Sequence, residues 1–152
     1  MKNRKQTVLI VLTLAFSLVI LTQLVTTRVS ANEILADVNI HPDSLLLKYD
    51  GHGNWMTVHV VLPGDYNVTN INMSSITLDV MGGQIPASRC EIQEDRLMVK
   101  FDRTITINLL WPMIEHMSPH VKYEVTLTVT GHLNNDETFK GSDTIKVFYT
   151  KL

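Results

Sequence analysis

The 152-residue chain carries 13 Lys and Arg against 15 Asp and Glu, but its first 31 residues hold 4 of the basic side chains and none of the acidic ones, which leaves a net charge of −6 on the other 121. An apolar share of 45% with 18% charged residues excludes a disordered or fibrous chain, and 7 Gly with 5 Pro excludes collagen-like or linker-dominated sequence. The acidic balance also argues against nucleic acid as a partner, because it gives phosphates no reason to approach.

Lys2, Arg4 and Lys5 precede an uncharged stretch from Gln6 to Thr27 that is rich in Leu, Val and Ile, and Val29-Ser30-Ala31 follows with small residues. A basic start, an apolar run and a small-residue site together predict a signal peptide over 1–31 with cleavage after Ala31. The alternative is an uncleaved anchor helix, since the stretch is long enough to cross ~30 Å of hydrocarbon, and the membrane is then met only through this segment. Both readings place residues 32–152 outside the cytoplasm, secreted or at the cell surface. One cysteine, Cys90, excludes an internal disulfide there, so it is expected to be a buried small hydrophobe, with an intermolecular bridge or a reactive thiol as the alternative.

About 120 residues suffice for one core and are too few for two domains. Their apolar pattern has a period of two, the spacing of a strand with one face buried. A short lead strand is predicted around Val38 to Ile40, then Leu45, Leu47 and Tyr49 share a face up to a turn at Asp50-Gly51-His52-Gly53. Met56, Val58, Val60 and Leu62 form the next set, ended by Pro63-Gly64-Asp65. Ile76, Leu78 and Val80 follow, closed by Met81-Gly82-Gly83, and then Leu97, Val99 and Phe101 between charged neighbours. Thr104 to Leu110 is ambiguous: Thr-Ile-Thr-Ile alternation favours a strand, whereas Asp102 as an N-cap allows a helix, and Trp111-Pro112 ends it either way. Val121, Tyr123, Val125, Leu127 and Val129 alternate with polar residues, Asn134-Asn135-Asp136 supplies turn chemistry, and Phe139 to Tyr149 completes a hairpin with Ile145, Val147 and Tyr149 on one face. About seven such strands predict an all-β fold, an antiparallel immunoglobulin-like β-sandwich, with a small barrel as the alternative.

The order of these segments resembles small extracellular β-sandwich modules of secreted and surface proteins in archaea and bacteria, mostly of unassigned function. The residues that carry the resemblance are Ile40-His41-Pro42 with Leu45-Leu46-Leu47-Lys48, Trp55-Met56-Thr57-Val58 running to Leu62-Pro63, and Leu97-Met98-Val99-Lys100-Phe101-Asp102-Arg103. Val125 to Gly131 and Phe139 to Val147 complete it. The resemblance implies an accessory or adhesive surface domain. Longer modules of this kind often carry an Asp-rich loop before the Leu-x-Val-Lys-Phe-like strand, where this chain has Glu91, Glu94 and Asp95.

No Gly-x-Ser-x-Gly elbow, His-Glu-x-x-His pair or phosphate-cradling glycine loop is present, so no catalytic residue is expected and the chain is not read as an enzyme. His116 and His120, four apart, are the metal candidates, with Glu115 and Cys90 available only if folding brings them in; Pro119 argues against the helix that would converge them. Asp43, Asp50, Asp65 and Asp79 fall in or near turns, where a carboxylate serves backbone donors, so no cofactor is expected, and calcium between strand loops is the alternative. Trp55 and Trp111, with Tyr66, are candidates for stacking on sugar rings, and strict alternation sets Trp55 opposite Met56, Val58 and Val60. Asn67-Val68-Thr69 and Asn72-Met73-Ser74 are glycosylation sequons on Asn67 and Asn72. The expected function is a non-catalytic secreted or surface domain that meets other surface proteins or envelope polymers as an adhesion, scaffold or envelope component. The alternative is an extracellular carbohydrate- or metal-binding domain.

Overall fold

A computed structural model of the chain describes residues 33–47 and 55–150. The predicted leader, the cleavage point at Ala31, Tyr49 and the predicted turn at Asp50-Gly51-His52-Gly53 lie outside the described residues. Among the described residues no helix is long and apolar enough to cross a membrane.

The protein is all-β, with two packed sheets. The four-stranded sheet is built from β2 (Asp37–His41), β4 (Trp55–Val61), β7 (Arg89–Gln93) and β8 (Arg96–Asp102), in the order β2-β4-β8-β7. The larger sheet contains β1 (Ile34–Leu35), β3 (Ser44–Leu46), β5 (Ile71–Val80), β6 (Gly83–Pro86), β9 (Tyr123–Leu133) and β10 (Thr138–Phe148), ordered β1-β10-β9-β5-β6 with β3 also on β10. Alternation decides which side chains enter the core, because successive residues of a strand face opposite sides of the sheet. Met56, Val58 and Val60 from β4 and Leu97, Val99 and Phe101 from β8 are all buried, facing Ile76 and Leu78 from β5 and Leu127, Val129 and Ile145 from the β9–β10 hairpin.

Among the described residues ten strands form where about seven were expected. The three additions are β1, β6 and β7, and each hides from the period-two rule for a physical reason. β1 is two residues long, β6 buries only Ile85, and β7 is an edge strand in which no side chain is fully buried. The hairpin from β5 to β6 turns through Met81 and Gly82, both at positive φ (54° and 87°), with the Gly82 N–H donating to Asp79 Oδ1 at 3.2 Å. Two central residues at positive φ match the right-handed twist of the flanking strands, which is why Gly82 is needed there.

The ambiguous segment is α1 (Arg103–Leu110). The cap outweighs the Thr-Ile alternation: the Asp102 carboxylate accepts from Thr104 N at 2.7 Å and Ile105 N at 3.1 Å, satisfying donors that a helix start leaves free. Burial of Thr106, Ile107 and Leu110 then follows helical spacing. Trp111-Pro112 ends the α-helix but not the helical path, which continues as a 3-10 turn over Trp111–His116. Two expectations for the last hairpin are corrected. β9 begins at Tyr123, leaving Val121 outside the strand and 46% exposed, because the chain turns through Pro119 and His120, the latter at φ 65°. β10 ends at Phe148, and Tyr149 beyond it donates its hydroxyl to Met117 O at 3.2 Å.

The start of the domain switches sheets. β1 pairs in parallel with the beginning of β10 and β3 with its end, while β2 between them pairs with β4 in the opposite sheet. The stretch of β10 left without a strand partner there meets β2 through two devices. Gly141 has no side chain where Val38 and the Ala36 carbonyl cross, and the Asp143 carboxylate accepts from Ile40 N at 2.7 Å, supplying the acceptor that a neighbouring strand would have provided.

Candidate functional site

Pairing of β2 with β4 sets Asp37 opposite Val61, Asn39 opposite His59 and His41 opposite Thr57, all on the outer face of the four-stranded sheet. Pairing of β4 with β8 adds Arg96, Met98 and Lys100 to that face, and β7 contributes Arg89, Glu91 and Gln93 one strand further out. Asp37, Asn39, His41, His59, Val61 and Arg96 line an open hollow of about 260 Å³. The two imidazoles meet edge to face with centroids 6.0 Å apart, and His41 Nδ1 lies 3.1 Å from Asp43 Oδ1. Nδ1 of His59 is buried and has no hydrogen-bond partner. Burial first, and then the positive charges of Arg96 and His41, hold the His59 pKa below its ordinary value. Donors, one carboxylate and the His59 ring thus share the lining of one hollow with the apolar side chain of Val61.

A second hollow of about 400 Å³, lined among others by Glu33, Ser75, Thr77, Gln84, Thr130 and His132, lies against the larger sheet. Several of its polar groups already satisfy one another. Thr77 and Thr130 hydroxyls pair at 3.0 Å, and Ser75 Oγ receives the His132 N–H at 2.8 Å while donating to Asn72 O at 2.7 Å. A ligand there would displace bonds already made, whereas the first hollow offers an unused group, so the first is the better candidate.

The sequence-predicted residues are spread over the molecule. Trp55 lies on the outer face of β4, as alternation required, and is 43% exposed; Trp111, 44% exposed, opens the 3-10 turn beyond α1; Tyr66 is exposed in the loop after β4. Trp55 pairs with Asp102 at the N-terminus of α1, and at 1.5 Å per residue Trp111 stands about 13 Å further along that helix, so the two start from separate places. His116 closes the 3-10 turn, whereas His120 sits past Pro119 with its N–H bound to Tyr149 O at 2.9 Å. Among the described residues no group of three or more His, Cys, Asp and Glu side chains comes together. Asp79 caps its turn, Asp43 pairs with His41 and Asp65 is exposed in a loop. Both sequon asparagines are exposed, and each closes a local turn: Asn67 Oδ1 accepts from Thr69 N at 2.9 Å, and Asn72 Oδ1 accepts from Ser74 N at 3.2 Å and Ser74 Oγ at 2.7 Å. Cys90 is half-buried on β7, and burial pushes its thiol pKa up.

The hollow itself escaped sequence reasoning. His41 and His59 stand 18 residues apart, and only the β2–β4 register makes them neighbours; the available signal was that Trp55, Thr57 and His59 share the polar parity of one strand. No protein family, no curated protein and no solved structure matches the chain.

Proposed function

We propose that the protein is a non-catalytic, exported β-sandwich of immunoglobulin-like type that acts through its surface as an adhesion, scaffold or envelope component. The observation that carries the reading is the strand order. β2-β4-β8-β7 against β3-β10-β9-β5-β6 follows the arrangement in which the first, second, fifth and fourth strands of an immunoglobulin domain oppose the sheet that holds its third, sixth and seventh. Further support comes from Tyr123, at the start of β9, whose hydroxyl accepts the Ser118 N–H at 2.9 Å in the manner of a tyrosine corner. Domains of this architecture work mostly by presenting faces and loops to other molecules, and an apolar leader before such a domain fits work outside the cytoplasm.

The second reading, a carbohydrate-binding domain, is favoured by one observation: Trp55 is exposed on the same outer face that carries the His41–His59 hollow. Mass spectrometry of culture-medium and envelope fractions tests the main reading. The expected result is a chain beginning at Asn32, with glycans on Asn67 or Asn72 where the host glycosylates exported proteins. A full-length chain confined to the cytosolic fraction would overturn it.

A further inference from the structure

We propose that the hollow on the outer face of the four-stranded sheet binds a carboxylate-bearing sugar ring, one uronic acid unit of an acidic surface glycan, held by Arg96 against the His41–His59 pair. The inference deepens the adhesion reading and rests on it for the source of the ligand, not for the chemistry of the site.

Size comes first. At about 260 Å³ the hollow falls just below the range that takes drug-sized molecules, which suits a single ring. Polarity comes second. His59 lines the hollow, and its Nδ1 is buried without a partner, a state that costs free energy until a shift of the ring lets something hydrogen-bond to it. Arg96 brings donors in a planar fork suited to a carboxylate, Asn39 both donates and accepts, Asp37 accepts from a hydroxyl, and Val61 offers a small apolar surface to the C–H face of a ring. Hydroxyls alone could use Asn39, Asp37 and the histidine, but the Arg96 fork is best matched by a planar anion.

Charge decides between a neutral and an acidic sugar. The groups facing His59 are Asp37 and His41 from β2, and Arg96 with Lys100 from β8; Glu91 lies beyond Met98 on β7, and Asp43 sits against His41. Arg96 is the permanent cation on the lining and Lys100 stands on the same face, so a carboxylate entering beside Asp37 finds a guanidinium as its counter-charge. An anion is therefore welcome there. Its binding favours protonated imidazole, and by linkage protonation tightens its binding. Trp55, four residues from His59 along β4 and so about 13 Å away on the same face, leaves a flat exposed ring for further units of the same polymer.

The test titrates the purified full-length protein with D-glucuronate, D-glucose and acetate in separate arms, following the His41 and His59 ring proton resonances by NMR. Saturable shifts with glucuronate are expected, weaker by about tenfold or more with glucose and absent with acetate, with affinity rising as pH falls below 6.5. Arg96→Gln, at an exposed position, should keep the fold and lose about tenfold or more in affinity. No saturable shift with glucuronate, equal binding of glucose, equal binding of acetate, or unchanged affinity in Arg96→Gln would each overturn the proposal. A chain that binds glucuronate but stays in the cytosolic fraction would instead sink the surface reading and leave the site standing.

Discussion

Gly141→Ala puts a methyl group where β2 crosses β10. Its Cβ would lie 2.3 Å from Val38 Cγ2 and 2.6 Å from the Ala36 carbonyl oxygen, against the 3.5–4.0 Å of an ordinary carbon contact. Neither obstacle yields easily. Val38 is buried and β-branched, so its rotamer is fixed, and the Ala36 oxygen is backbone. Relief requires the two segments to part by about 1 Å, and that movement stretches the bonds flanking the crossing, Ala36 N to Lys140 O at 2.8 Å and Ile40 N to Asp143 Oδ2 at 2.7 Å. Overpacking costs about 1–3 kcal/mol and one lost hydrogen bond about 1 kcal/mol more, so the expected destabilisation is about 3 kcal/mol. Against a total stability of about 5–15 kcal/mol the variant still folds, with its Tm lower by roughly 10 °C. Urea unfolding followed by tryptophan fluorescence measures it. Gly83→Ala is the internal control, since its Cβ at 2.7 Å from Leu109 Cδ2 meets the end of a half-buried side chain that can rotate, and it should cost under about 1 kcal/mol. A Gly141→Ala protein within about 1 kcal/mol of the parent, or no less stable than Gly83→Ala, would refute the reasoning.

Asp102→Ala should cost about 1 kcal/mol in the same unfolding assay by freeing the Thr104 and Ile105 N–H groups, while Asp102→Asn keeps most of the cap; equal losses in both would show that the cap does not hold α1. The His59 pKa lies below 6.5 in the folded protein, so the unfolded chain takes up that proton first as pH falls. Its contribution to stability is then complete above 6.5 and is lost from there down to the folded value, and Tm measured from pH 7.5 to 5 should fall less steeply in His59→Gln than in the parent. Parallel curves would contradict this. Because burial raises the Cys90 pKa, less thiolate is present at pH 8, and Ellman's reagent should react more slowly with the folded protein than with the same protein in urea; equal rates would show an open thiol.

The sets Met56-Val58-Val60, Ile76-Leu78-Val80 and Leu97-Val99-Phe101 were readable because each lies on a strand with one face in the core and the other in water, so burial is written as alternation. The last hairpin was readable for the same reason, with Asn134-Asn135-Asp136 adding local turn chemistry. β7 was not readable, because an edge strand with exposed Ile92 and half-buried Cys90 has no clean inward face to display. In α1 local signals conflicted, and the Asp102 hydrogen bonds, not the Thr-Ile pattern, decided the outcome. The exposure of Trp55 followed from parity along one strand. The grouping of His41, His59 and Arg96 did not, since it depends on which strands lie side by side.

Composition and periodicity by themselves determined an acidic, all-β domain of one core and identified most of its inward side chains, because burial and strand geometry act residue by residue. Tertiary structure alone decided the sheet switch at Ala36, the tight crossing over Gly141 and the hollow around His59. Each of these depends on register between segments far apart in the chain, and register is set by the packing of the whole core, not by any local run of residues.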